Sequence, residues 1–412
     1  MNFHINFSDF VFKEKKVLYL ILFLPLTLFI GSAITNIFIF SIIIIFLIEC
    51  KKKNNFFFLK NKNFQFLIIF AIYLILNSLF LGKNFESISR AVGFLRYIIL
   101  AFAIAYYLSL ESRKYEKSIF KFWVLIFLFV TFDVFVEYFL GYNFFTIYSS
   151  EYPGRLGGLT GAELKIGGYY FGFVLLAFAF VYGYNKNKIL YLFFIIFLVV
   201  ALLIGERSNF IKILLISSIF ILFLKKKSII KNLTFLVIFI IFGVIFIMNN
   251  QSFKLRYYQQ IIGLKNDIKI IRSNKHLENY ATAIQVIKKN PIFGVGVKKY
   301  RYESYKKEYN KYKNITFNGM GNHPHQIHFE LLAELGLIGY IPLISYLIYF
   351  IVKSFNSYRK NNNFYLLGST LFIFASILPI IPSGSFFTTY TATIFWINYS
   401  IALSNSSEFN IK

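Results

Sequence analysis

Residues 189–224 read ILYLFFIIFLVVALLIGERSNFIKILLISSIFILFL. Two apolar runs, 189–204 and 208–224, are separated only by Gly205, Glu206 and Arg207. A membrane span needs roughly 20 apolar residues, so the stretch reads as a hairpin of two transmembrane helices. The turn is so tight that the Arg207 guanidinium must lie at the membrane surface or in a cavity. A snorkelling interfacial arginine is the bland reading; a functional one is preferred.

The rest of the chain repeats this pattern. The 412 residues are 57% hydrophobic, 21% aromatic and 15% charged, with mean hydropathy +0.61. Soluble domains are about half apolar and about a quarter charged, so a single soluble domain and a disordered chain are both excluded. Twelve apolar segments are predicted: 17–32, 35–49, 64–82, 91–110, 118–140, 165–183, 189–204, 208–224, 232–249, 333–352, 364–382 and 386–404. The expected fold is an all-α polytopic membrane protein of about twelve transmembrane helices. It forms a single membrane domain over residues 1–412, with one long loop, 250–322, between helices nine and ten. Lys13, Lys15 and Lys16 before the first run, with Gly31-Ser32-Ala33 after it, resemble a signal peptide. A second span follows at once, so a retained first helix is expected.

The formal charge of +26 suggests nucleic acid until the cations are located. With the N-terminus inside, segments 1–16, 51–62, 111–121, 184–188, 225–231, 353–360 and the C-terminal tail carry 22 Lys and Arg. The short outer loops and span edges hold Lys83, Arg90, Arg155, Lys165 and Arg207. Short cytoplasmic loops are enriched in Lys and Arg, so both termini are expected in the cytoplasm. The charge is then mostly topology, and a nucleic-acid partner falls away. The single Cys50 excludes an intrachain disulfide and a cysteine zinc site.

Loop 250–322 departs from the pattern. It carries 15 Lys and Arg and few acids; long loops are exempt from the charge rule and are usually functional. Its basic character suits an anionic ligand such as a pyrophosphate. Tyr280, Ala283, Ile284 and Ile287 share a helical face, and Asn290-Pro291 ends that helix.

Ionisable groups inside spans are costly and are functional candidates by default. Arg96 lies in the fourth span. Asp133 and Glu137, at i and i+4 on the fifth, share a face; a buried structural pairing with Arg96 is the preferred reading.

Four of the five histidines, His276, His323, His325 and His328, lie in or beside the outer loop. Pro324 suits a first helical turn, which would put His325 at a helix N-terminus, where the dipole disfavours imidazolium and keeps the ring neutral as a base. His-x-His with a third histidine also invites zinc, but helical zinc sites use His at i and i+4 with an aligned acid. That acid is absent, and no metal or other cofactor is expected.

These residues carry a resemblance to the O-antigen ligase and polymerase family of bacterial envelope glycosyltransferases. Its signature is His-Asn/Ser/Gln, nine residues, then Gly-x-x-Gly; here stand His325-Gln326, nine residues, then Gly336-Leu337-Ile338-Gly339. The signature segment is 323–339. Asn290-Pro291-Ile292-Phe293-Gly294-Val295-Gly296, Glu334-Leu335-Gly336, Arg155-Leu156-x-Gly158, Arg207 and Pro382-Ser383-Gly384-Ser385-Phe386-Phe387 are also typical. The resemblance covers about residues 130–400. It implies metal-independent transfer of a glycan from a polyprenyl diphosphate carrier to a lipid A–core or glycan acceptor. The reaction would run on the periplasmic face of the inner membrane, among membrane lipids. His325 would be the base, and Arg207 would bind diphosphate with Arg155. A second loop arginine, four residues before an aromatic, is usual; with Tyr280 as the aromatic, His276 fills its place. That role stays open between His276, Lys275 and Arg272. Glu163, Gln326, Glu334 and Arg96 would support the site. Glu163 and Glu206 are the outer carboxylates that a retaining route would want; direct attack, with inversion, is expected. Ligation is the first expectation and polymerisation of repeat units the alternative. A transporter or flippase would predict inverted repeats, and none is visible.

Overall fold

The computed structural model describes residues 10, 12, 15–145, 154–184, 189–224, 229–259, 275–306, 309, 323–407 and 409. A helix lies over each of the twelve apolar segments. They are α1 (Val17–Ile30), α2 (Ser32–Lys52), α3 (Lys62–Asn77), α4 (Phe85–Ser109), α5 (Lys114–Leu140), α6 (Ile166–Tyr184), α7 (Ile189–Leu203), α8 (Arg207–Leu224) and α9 (Ile229–Asn249), then, after α10 (Lys275–Lys289) from the long loop, α11 (Ile327–Asn361), α12 (Phe364–Ser376) and α13 (Thr389–Asn405). Among the described residues, eight helices are long and apolar enough to cross a membrane, and three shorter ones, α1, α7 and α12, are apolar. The chain is an all-helical, multi-pass membrane protein.

Packing follows from side-chain type. α6 is buried on nearly every face, against α5, α7, α8 and α12, and its small residues admit close neighbours: a Cβ at Gly172 would strike Ile394, and one at Gly168 would touch Tyr390. Small residues serve this purpose wherever lipid removes the hydrophobic drive for helix association. The outer belt is apolar as well, with Ile37, Ile69, Phe129 and Phe242 exposed. Hydrocarbon makes an exposed apolar side chain costless.

The intramembrane carboxylates have partners other than the expected one. Asp133 accepts a hydrogen bond from Phe144 N at 2.9 Å, and Glu137 accepts from Gly157 N and Gly158 N at 3.0 and 2.6 Å. They hold the outer loop that carries Arg155. Arg96 donates to Gly93 O and Tyr97 OH, each at 2.9 Å, with its guanidinium over the Tyr97 ring. The predicted Arg96 pairing is therefore corrected: loop amides bind the two carboxylates, and the described hydrogen bonds of Arg96 lie on its own helix.

Two further corrections concern α11 and α12. The run predicted over 364–382 is helical only to Ser376; Pro379 and Pro382 cannot continue a helix, and residues 377–388 form a loop. α11 is not one continuous helix. Gly336 has φ 63° and ψ −171°, a conformation open essentially to glycine alone. The break frees backbone groups on both sides, and the Asn290–Gly296 segment takes them. Val295 N donates to Ala333 O and Gly296 N to Glu334 O, while Leu337 N and Ile338 N donate to Pro291 O and Ile292 O, all at 2.9–3.1 Å. Tyr73 OH donates to Leu335 O, and Asn77 holds Phe293 O. Non-helical backbone is tolerated in a membrane protein where other protein satisfies it. The two glycine-bearing motifs are thus the two halves of one joint. Above it, α10 packs on α11 through Ala283, Val286 and Ala333; Ile284 of the predicted face is exposed instead.

Candidate active site

The joint positions the histidine segment. α11 begins at Ile327, later than predicted, with Gln326 as its cap: Gln326 Oε1 accepts from Phe329 N at 2.9 Å. His325 lies just ahead of the helix in the left-handed region, φ 57°, and its carbonyl accepts from Ser383 N at 2.9 Å. The expected place inside the first turn is corrected. The neutral state has a different cause: burial, with His323 beside it, pushes the His325 ring down to about 4, against the opposing pull of Glu330. The two rings lie 4.1 Å apart, and burial lowers His323 as well. A buried imidazole sheds its proton because the low-dielectric surroundings penalise its charged form.

His328 is committed elsewhere. One ring nitrogen pairs with Tyr340 OH at 2.9 Å and the other donates to Ile377 O at 2.8 Å. Both nitrogens are occupied, so this histidine is structural and is no third ligand for a metal.

Beneath the histidines lies a group that the sequence reading missed. Buried Glu330 accepts from Ser385 Oγ and, at 2.8 Å, from Phe386 N; the Lys298 ammonium stands 3.4 Å away and also donates to Ser385. Glu334 accepts from Lys298 N at 2.8 Å. This group ties the long loop, α11 and the 377–388 loop together under His325. Glu330 lies inside the 323–339 signature segment without a role assigned from the sequence, and Lys298 was one basic loop residue among many.

The second wall is the α7–α8 turn. Arg155 stands 3.9 Å from Glu206 and donates to Leu164 O at 3.1 Å. Arg207 donates to Arg256 O at 3.2 Å, and Arg256 donates to Gly205 O. Burial, together with Arg155 and Arg207, lowers the Arg256 guanidinium to about 10. Burial raises the Glu206 carboxyl, opposed by Arg155, Asn209, Lys212 and Arg256. Three guanidinium groups gathered about one turn suit a diphosphate, because each offers a planar fork to phosphate oxygens. Arg256 was missed; it follows span nine directly and precedes Tyr257-Tyr258, a signal overlooked while the second arginine was sought nearer Tyr280. Of those candidates, Arg272 lies outside the described residues, and the backbone of Lys275 and His276 begins α10, their side chains lying outside the described set. Tyr280 packs on Phe329 at 5.1 Å. Glu163 pairs with Lys165 at 2.5 Å, and Arg96 stays on its own helix.

One cavity joins the walls. Its volume is about 170 Å³, with Glu206, Asn209 and Lys212 on one side and Ile327 and Ser383, which bracket His325, on the other. A larger space of about 520 Å³ adjoins it, sharing Lys165, Gly384, Tyr390 and Thr391 and reaching His323, Arg90 and Glu163. The smaller cavity thus runs from Glu206, next to Arg207 in the turn, to Ile327 and Ser383 beside His325, and His323 lines the larger one.

Comparison with known proteins agrees with this chemistry. Residues 192–344 match the family model described as O-antigen ligase. No curated protein matches the chain significantly. The matched segment contains Arg207, Arg256, the Asn290–Gly296 joint, His325 and Gly336, whereas Arg155 and Ser383–Phe386 lie outside it. Over this segment the chain is similar to the O-antigen ligase family, whose members are glycosyltransferase-type membrane enzymes.

Proposed function

We propose that the protein is an O-antigen ligase-type transferase. It moves a glycan from a polyprenyl diphosphate carrier to a lipid A–core acceptor at the periplasmic face of the inner membrane, with both termini in the cytoplasm. The lysine and arginine asymmetry of the short loops supports the orientation. The observation that supports the activity is the cavity lined by Glu206, the neighbour of Arg207, on one side and by Ile327 and Ser383, the neighbours of His325, on the other.

An acceptor hydroxyl attacks the anomeric carbon, and its proton passes to a ring nitrogen of His325. The bond from the anomeric carbon to the diphosphate oxygen breaks, and its electron pair leaves with the diphosphate. Arg155, Arg207 and Arg256 receive that charge. Attack opposite the leaving group inverts the anomeric centre. In the empty site the His325 ring is a weak base, at about 4. An arriving diphosphate raises it, since a nearby negative charge favours imidazolium, and so brings it toward the working pH where a general base is most effective. Positive charge at the leaving group comes from the arginines, and no step is assigned to a metal.

The test is the lipopolysaccharide gel profile of a deletion strain complemented with wild type or His325→Ala. Wild type restores the ladder; the variant, equally abundant, leaves lipid-linked glycan unused and lowers transfer by about 10²–10⁴-fold, the usual contribution of a general base. Transfer above about a tenth of wild type would remove His325 from the base role. A deletion strain that still attaches a single capped repeat would make the enzyme a polymerase.

A further inference from the structure

Lys212 has no part in the chemistry so far. It lies on α8, five residues beyond Arg207, about 7.5 Å along the axis, and is only 3% exposed. Among the described residues its ammonium has the Phe171 ring at 5.5 Å and no ion-pair partner within 4 Å. It lines the 170 Å³ cavity beside Glu206, whose Oε2 is also buried without a hydrogen-bond partner among the described residues. A buried, unpaired ammonium is expensive, and a cation–π contact compensates it only in part. A leucine or methionine would fill this helix face without that cost. The cavity it lines runs from Glu206, next to Arg207, to Ile327 and Ser383 beside His325, and the proposed transfer places the reacting carbon there.

The charges sort into two sets. A sugar attached to a polyprenyl diphosphate leaves two ionised phosphate oxygens. With Glu206 ionised, Arg155, Arg207 and Arg256 give a net of two positive charges, which matches the donor before reaction. Cleavage of the sugar–oxygen bond creates a third negative charge, on the oxygen that held the sugar, and Lys212 is the cation not yet matched. Resting on the transfer reaction proposed above, we infer that Lys212 is a catalytic residue that meets the leaving oxygen as the glycosidic bond breaks. Its ammonium binds the charge present in the transition state and in the released carrier but absent from the donor. Interactions stronger in the transition state than in the ground state accelerate a reaction.

Two soluble probes separate these states: farnesyl diphosphate, which carries the terminal charge, and its terminal methyl ester, which lacks it. Binding is measured with full-length protein in lipid nanodiscs. Wild type should prefer farnesyl diphosphate, and Lys212→Met should weaken that ligand by about tenfold to a hundredfold, the scale of a hydrogen bond between charged groups, while leaving the methyl ester unchanged. Replacing a buried charge by a similar apolar volume is usually tolerated by the fold; Lys212→Arg, which keeps the charge, should retain the preference. In turnover assays Lys212→Met should lower kcat with little change in donor KM, the signature of a contact made only in the transition state. Equal weakening of both ligands, or of neither, would overturn the role of Lys212 while leaving the transferase reading intact. Wild-type protein that binds neither ligand would overturn the diphosphate reading itself, and the lysine proposal with it.

Discussion

Gly336→Ala probes the joint that sets the histidine loop. An alanine Cβ at this position would lie 2.3 Å from Ile292 O and 2.5 Å from Gly294 N, both backbone atoms that cannot swing away. The glycine-only backbone conformation adds about 1–3 kcal/mol of strain for any other residue. The relief open to the variant is to close α11 into a continuous helix and release the Asn290–Gly296 segment. That forfeits the four backbone hydrogen bonds across the joint and regains two within the helix. The net loss of two bonds costs about 2 kcal/mol at about 1 kcal/mol each. Wild type and variant lose those bonds alike on opening, so the strain alone shifts the opening equilibrium, by about 1–3 kcal/mol or roughly fivefold to a hundredfold. Limited proteolysis in detergent, with sites mapped by mass spectrometry, reads this directly, because cleavage follows the open population when reclosure is fast. Cleavage within 290–306 should rise by about that factor. Gly243→Ala, where an added Cβ meets nothing within 4 Å, should leave it unchanged. A Gly336→Ala protein cleaved there within about threefold of the wild-type rate would refute the reasoning.

The pH profile follows from the depressed His325 ring. kcat/KM reports the free enzyme, so its acid limb should fall near 4 and not at the ordinary 6.5; a half-point near 6.5 would count against the burial argument. The same group makes stability fall as pH drops from 6.5 toward 4, because in that window the unfolded chain binds the proton and the folded one does not. Arg256→Ala should lower donor affinity about as much as Arg207→Ala, and Arg207→Lys should stay impaired because it lacks the bidentate fork; wild-type binding by Arg256→Ala would return Arg256 to a purely structural role.

Sequence alone determined what depends on local composition. Apolar length set the helices, because any segment that crosses hydrocarbon must satisfy its own backbone. Asn290-Pro291 ended α10 where a proline must. His325 and Arg207 were named as candidates from spacing and resemblance, because a signature records which residue types recur without saying how they meet. What the tertiary structure decided is what depends on which distant groups meet. Asp133 and Glu137 took loop amides in preference to Arg96, because proximity across the fold outranks charge complementarity along a sequence. His328, read as one of a cluster, was removed from it by Tyr340 and Ile377 O, contacts that no pattern encodes. Arg256 joined Arg207 because a helix of some twenty residues brought the chain back to the same turn. Lys212 was missed although it breaks the rule that had singled out Arg96, an ionisable group inside a predicted span. Its neighbours are a turn, a loop and an aromatic ring from separate parts of the chain, and only their packing makes the cavity that gives a buried ammonium something to do.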